Sequence, residues 1–68
     1  MNKYIELPKQ KVLISVNNII RIAVENEHIL LETNRNELFF KVIDDPNKLY
    51  DKIKIFLGDP NTNLMTIE

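Results

Sequence analysis

The sequence contains no cysteine, so neither a disulfide nor a thiolate metal site can stabilise the fold. Its 68 residues suffice for one domain. A chain this short buries only about 60% of the surface that its unfolded form exposes. Small domains usually gain additional stability from a disulfide, a metal or a partner chain. Without cysteine chemistry, association with a partner chain becomes a reasonable expectation.

The sequence also lacks an excess of either charge, with nine basic and ten acidic residues. Nucleic-acid-binding proteins usually carry a basic stripe, and none is visible here. Uninterrupted aliphatic runs such as residues 29–31 are far shorter than the ~20 residues that a membrane span needs. The N-terminal segment has no apolar signal-peptide core. We therefore predict a soluble, cytoplasmic protein with no contact with a membrane.

Few residues of the kinds that perform catalysis are present. The single glycine excludes the usual phosphate-cradling loops. His28 stands beside Glu27 at a predicted turn, and Ser15, the only serine, lies in no recognisable nucleophile motif. The Asp44-Asp45 pair is typical of a helix start and lacks the convergent oxygens of a hard-cation site. The sequence predicts no enzyme activity, no cofactor and no metal.

Alternation of apolar and polar residues is the main positive signal, and it predicts β-strands. The breaks between these segments are short and polar, so successive strands are expected to pair antiparallel. The predicted strands cover residues 3–7, 11–16, 19–24, 28–33 and 37–43.

The breaks are rich in asparagine, the residue that best replaces glycine where a turn needs a positive φ. The simpler alternative is that polar residues collect in loops. The asparagines concerned are Asn17, Asn18, Asn26, Asn34 and Asn36.

After residue 43 the pattern changes to that of a helix. Asp45 suits the N-cap, Pro46 the first helical position, and Gly58 the position just past the end. Ile55 lies on the polar side of this helix, where an aliphatic residue is unexpected. The apolar stripe consists of Leu49, Tyr50, Ile53, Phe56 and Leu57.

This order predicts an α+β fold, an antiparallel β-meander of four to five strands with one C-terminal α-helix. Residues 1–58 form the domain, and the tail, residues 59–68, forms either a short strand or no ordered structure. One face of the sheet is almost purely apolar and is the predicted core, covered by the helix stripe. Its members are Ile5, Leu7, Val12, Ile14, Val16, Ile20, Ile22, Val24, Ile29, Leu31, Leu38, Phe40 and Val42.

The other face mixes apolar and charged residues, and one helix cannot cover both faces. Exposed apolar patches usually mark interfaces, so we predict self-association through this second face, an edge strand, or both. The alternative is a strongly curled sheet whose outer apolar residues are scattered and half-exposed. The predicted interface residues are Leu13, Ile19, Ala23, Leu30, Phe39, Ile43 and Ile55.

These features predict a non-catalytic protein-protein interaction module, a small bacterial or phage accessory or regulatory protein that binds itself and another protein. One alternative is a nucleic-acid-binding regulator that uses the mixed face. Another is a protein that sequesters a small ligand at a subunit interface. The residues that would contact nucleic acid are Lys11, Arg21, Phe39 and Lys41.

The hydrophobic spacing over about two-thirds of the chain resembles that of small FlbD-like proteins of bacterial flagellar operons. In place of the Asn-Gly turn usual in that family, this chain has Asn34-Arg35-Asn36. The pattern is also similar to the β-rich part of LytTR-type DNA-binding domains, although the chain is shorter and lacks their basic loops. The resemblance implies a non-catalytic accessory protein and assigns no functional residue. The matching positions are Val12, Leu13, Ile19, Ile22, Ile29, Leu31, Thr33, Asn34, Phe40, Val42, Ile53 and Phe56.

Overall fold

A computed structural model describes residues 2–68 and contains six strands and one α-helix. The predicted α+β class is confirmed. A short 3₁₀ helix, Val16–Asn18, separates the second strand from the third. The elements are β1 (Tyr4–Leu7), β2 (Val12–Ser15), β3 (Ile19–Glu25), β4 (His28–Thr33), β5 (Glu37–Lys41), α1 (Pro46–Gly58) and β6 (Leu64–Thr66).

The strands are divided between two three-stranded sheets, with the orders β2-β1-β6 and β3-β4-β5. The second sheet is an antiparallel meander of three strands, so the predicted meander of four to five strands is present in part and its first two strands belong to the other sheet. The 3₁₀ turn at Val16–Asn18 carries the chain from the first sheet to the second, so β2 and β3 do not pair. Across this junction the backbone N–H of Asn34 donates a hydrogen bond to the Asn18 carbonyl at 3.1 Å. The two asparagines therefore connect the 3₁₀ turn between the two sheets to the β4–β5 turn.

The C-terminal tail forms a strand, the first of the two alternatives that the sequence left open. β6 lies parallel to β1, with Met65 opposite Ile5. The Tyr4 N–H donates to the Asn63 carbonyl at 2.9 Å, and the Ile67 N–H donates to the Glu6 carbonyl at 2.8 Å. Because Ile67 is buried in the core, the last residues of the chain belong to the folded domain.

The two sheets and the helix enclose one hydrophobic core, and the predicted inner face supplies most of it. Ile53 and Phe56 of the helix stripe lie in this core, and Leu49, Tyr50 and Leu57 pack against it. The buried members are Ile5, Leu7, Ile14, Ile29, Leu31, Phe40, Ile53, Phe56 and Ile67.

One position of the predicted inner face is wrong, and a β-bulge explains it. Ile19 lies opposite Thr33 while Arg21 lies opposite the adjacent residue Glu32, so β3 has one more residue than β4 at this point. An extra residue reverses the side-chain alternation on the two sides of the bulge. Ile19 therefore packs against the core, and Ile20, the predicted core residue, is exposed.

The helix begins as its sequence predicts and ends differently. The Asp45 carboxylate accepts a hydrogen bond from the Asn47 N–H at 2.9 Å, and Pro46 occupies the first turn. Gly58 is the last helical residue and does not adopt a positive φ, so its predicted capping role is wrong. The helix instead closes with the Asp59 N–H donating to the Phe56 carbonyl at 3.2 Å.

Positive φ values among the non-glycine residues 2–68 occur at Lys11 and Asn26, both at 56°. The asparagine prediction is thus confirmed at Asn26 and wrong at the other four positions. In the β4–β5 turn, the Thr33 hydroxyl donates to the Asn36 side-chain oxygen at 2.8 Å and accepts from the Asn36 N–H at 3.1 Å. Side-chain hydrogen bonds stabilise this turn without left-handed backbone.

Lys3 caps the C-terminal end of the helix, a contact that links residues more than fifty positions apart. Its ammonium group donates hydrogen bonds to the Phe56 and Asp59 carbonyls. It also lies 4.6 Å from the centroid of the Phe56 ring. The Asn61 N–H, the Thr62 hydroxyl and the Lys3 charge together lower the pKa of the Asp59 carboxyl below its ordinary value of 3.8. A cation at this end also compensates the negative end of the helix dipole.

We expect Lys3→Met to lower the free energy of unfolding by about 1 kcal/mol, the usual net value of such hydrogen bonds. Methionine keeps the apolar contact with the Phe56 ring and removes the donors. For a domain of this size the melting temperature should fall by about 4–8 °C. Lys9→Met, at an exposed turn position, removes the same charge and serves as the control. Equal melting temperatures for the two variants would contradict the capping role.

Candidate functional site

The outer side of the β3-β4-β5 sheet is the candidate site, and we name it the open face. Its side chains point away from the core because they alternate with the buried residues of the same strands. The pairing register arranges them in three rows of three. The rows are Arg21-Glu32-Glu37, Ala23-Leu30-Phe39 and Glu25-His28-Lys41.

The middle row, which we name the apolar row, consists of Ala23, Leu30 and Phe39. Phe39 is 56% exposed, whereas Leu30 at the centre is only 3% exposed. The His28 imidazole stacks on the Phe39 ring with centroids 4.4 Å apart and planes 5° from parallel. Leu30 is thus sheltered within its own chain, whereas the Phe39 ring stays accessible, as does Ile20 on the outer side of β3.

Charged residues flank the apolar row on both sides, and some pair within the chain. The Arg21 Nε atom lies 3.0 Å from the Glu32 Oε1 atom in the neighbouring strand. The Lys41 Nζ atom lies 3.7 Å from the Glu27 Oε2 atom in the β3–β4 turn. Arg21, Lys41 and Glu27 are mostly exposed and Glu32 is 33% exposed, so each pair contributes little to folding stability and can be exchanged for another partner.

The predicted interface residues do not form one patch. Ala23, Leu30 and Phe39 are brought together on the open face, while Ile19 packs inward because of the bulge. Leu13 lies in the other sheet, opposite Glu6, and is exposed. Ile43 is exposed in the segment after β5, and Ile55 is exposed on the outer side of the helix.

A further apolar surface lies between α1 and β6, and the sequence did not indicate it as one feature. Two shallow depressions share Lys52 and Met65 as lining residues. Ile43 lines the first, and Ile55 and Leu64 line the second. Leu64 was missed because its exposure depends on β6 pairing with β1, which no local pattern predicts.

The residues predicted to contact nucleic acid do not form a basic surface. Arg21 and Lys41 each lie beside a carboxylate, and Lys11 lies in the β1–β2 turn. Phe39 stacks on His28 within the chain. The open face also carries Glu25, Glu32 and Glu37, so its net charge is not positive.

Within residues 2–68 no group of three or more histidine, aspartate or glutamate side chains is placed to bind a metal ion. Ser15 and His28, the one serine and the one histidine, belong to different sheets. Among residues 2–68, no helix is both long enough and apolar enough to cross a membrane.

Comparison of the chain with protein-family models, with curated proteins and with solved structures finds no match. The resemblance to FlbD-like proteins therefore stays a prediction.

Proposed function

We propose that the protein is a non-catalytic protein-protein interaction module that self-associates through the open face. The observation that carries this proposal is the exposed Phe39 ring, which lies at one end of the apolar row between two charged rows. Protein interfaces commonly combine an apolar centre enriched in aromatic residues with a polar rim. The open face has this arrangement on a small scale.

The stack of His28 on Phe39 supports the proposal because it restricts the aromatic side chain before any partner binds. Ordering a mobile side chain at an interface costs about 0.5–1.5 kcal/mol, and a side chain that is already ordered avoids most of this cost. Phe39 also lies opposite Leu30 of the neighbouring strand, and Leu30 is buried. The ring therefore has an ordered neighbour within its own sheet. An aromatic group held in this way is a suitable binding hot spot.

The cellular role follows from the sequence expectations. A small bacterial or phage accessory protein in the cytoplasm would use the same surface to bind itself and a client protein. The FlbD-like resemblance and the absence of catalytic groupings in the sequence both favour such a role.

Sedimentation velocity of the purified chain tests the proposal from about 1 µM to about 1 mM, the range in which weak dimers form. We expect a concentration-dependent shift from monomer to dimer. Phe39→Lys should weaken the dimer about thirtyfold or more, because hot-spot losses amount to about 2 kcal/mol or more.

Ile55→Lys introduces the same charge at an exposed site on the outer side of the helix and is the matched control. It should leave the association constant unchanged. A chain that stays monomeric at about 1 mM would overturn the proposal. If Ile55→Lys abolishes the dimer and Phe39→Lys does not, the α1–β6 surface is the interface instead.

The nucleic-acid alternative makes a different prediction. Phosphate contacts strengthen as salt concentration falls. Binding to DNA or RNA at low salt that is lost in both Arg21→Ala and Lys41→Ala would favour that alternative over self-association.

A further inference from the structure

The charges of the open face are complementary to those of a second copy in one particular orientation. Resting on the proposed self-association, we infer that two copies meet open face to open face about a two-fold axis that runs along the apolar row. A two-fold interface uses the same patch on both subunits, so the patch must complement itself. The open face satisfies this condition row by row.

Rotation about this axis keeps the apolar row in register with itself and exchanges the two charged rows. The central Leu30 then lies opposite the partner's Leu30, and the strands of the two sheets run antiparallel. Facing sheets pack about 10 Å apart, a distance that long side chains from the two copies can span together. The facing pairs are Arg21 with the partner's Glu25, Glu32 with the partner's His28, and Glu37 with the partner's Lys41.

Each of these three pairs is favourable. Two join opposite charges, and in the third the histidine N–H donates to a carboxylate. By symmetry each pair occurs twice in the dimer. The existing contacts of Arg21 with Glu32 and of Lys41 with Glu27 do not oppose this arrangement, since both are exposed and weak.

A two-fold axis along β4 is the alternative that also aligns the strands of the two sheets, and it fits less well. It sets Arg21 opposite the partner's Glu37 and Glu25 opposite the partner's Lys41, which are favourable. However, it also sets Glu32 opposite the partner's Glu32, two carboxylates at the interface. Like charges in direct opposition penalise an interface. The charge pattern therefore selects the axis along the apolar row.

Two charge-reversal variants distinguish these axes. Glu37→Lys and Lys41→Glu, each studied alone by sedimentation equilibrium, should weaken the homodimer about tenfold, because two facing pairs turn from attractive to repulsive. An equimolar mixture of the two variants should form a heterodimer with an affinity within about threefold of the wild type, since both pairs become attractive again.

With the axis along β4, mixing the variants would give no recovery. In that arrangement the lysine introduced by Glu37→Lys faces Arg21 of the partner, and the glutamate introduced by Lys41→Glu faces the partner's Glu25. Each of the two homodimers, and the heterodimer as well, then contains as many attractive as repulsive pairs among these residues, so mixing brings no gain in affinity. The mixture experiment therefore separates the two orientations.

Asp51→Lys and Lys52→Glu carry the same charge changes on the exposed side of the helix and should leave dimerisation unchanged. A dimeric wild type whose variants are unaffected, or are weakened without recovery on mixing, overturns this orientation while self-association stands. A wild type that is monomeric throughout overturns the proposed function itself.

Discussion

Ile53→Ala is expected to lower the free energy of unfolding by about 3 kcal/mol, within the usual range of about 2–5 for such truncations. Ile53 is fully buried, with 0% of its surface exposed, and it attaches the helix to the core. The loss combines the transfer free energy of the removed carbons with the cost of the cavity left behind. At about 0.05–0.15 kcal/mol per residue, this chain has little stability in reserve. Much of the variant should therefore be unfolded at 37 °C.

Ile55→Ala is the matched control, because the same substitution occurs two residues away in the same helix at a side chain that is 72% exposed. The change in helix propensity is the same at both positions. We expect Ile55→Ala to change the stability by no more than about 0.5 kcal/mol. Urea denaturation followed by circular dichroism measures both values. Similar losses for the two variants would show that the helix stripe does not attach α1 to the sheets.

Deletion of residues 61–68 is expected to destabilise the domain by about 4 kcal/mol or more, because it removes the whole of β6. Burial of one large aliphatic side chain contributes about 1.5–3 kcal/mol, and both Ile67 and Met65 pack in or against the core. The deletion also removes the hydrogen bonds that Asn63 and Ile67, on either side of β6, make with Tyr4 and Glu6, and it exposes the edge of β1. The truncated chain should give a broad transition without cooperative unfolding.

Two single substitutions separate the effect of burial from the effect of chain length. In the full chain, Ile67→Ala should lower the free energy of unfolding by about 2–4 kcal/mol, because Ile67 is buried. Leu64→Ala, three residues earlier in β6 at a half-exposed position, should cost about 1 kcal/mol at most. Thermal unfolding monitored by circular dichroism gives both values. A truncated chain that unfolds cooperatively at the wild-type temperature would show that β6 does not contribute to the core.

The candidate site could be predicted only in part. Period-two alternation correctly placed Ala23, Leu30 and Phe39 on one face, because successive side chains of a strand point to opposite sides. The bulge after Ile19 depends on the pairing of β3 with β4, so alternation alone assigned Ile19 and Ile20 to the wrong sides. The shelter of Leu30 and the stack of His28 on Phe39 involve neighbouring strands and could not be read along one segment.

The charge arrangement of the open face has the same origin. Arg21, Glu25, Glu37 and Lys41 are ordinary surface residues in the sequence, separated by as many as twenty positions. The hairpin registers place them at the four corners around the apolar row. Only with this register known does the self-complementary pattern become visible, and the proposed orientation of the dimer depends on it.

Local patterns in the sequence were sufficient to predict the strands of the meander, most of the inner apolar face, and a helix that begins at Asp45 and Pro46. These follow from periodicity and capping, which act over a few neighbouring residues. Three features depend on long-range contacts: the division into two sheets, the parallel pairing of β6 with β1, and the Lys3 cap on a helix that ends more than fifty residues later. Such contacts join distant segments, and their free energy depends on which surfaces meet in the folded chain.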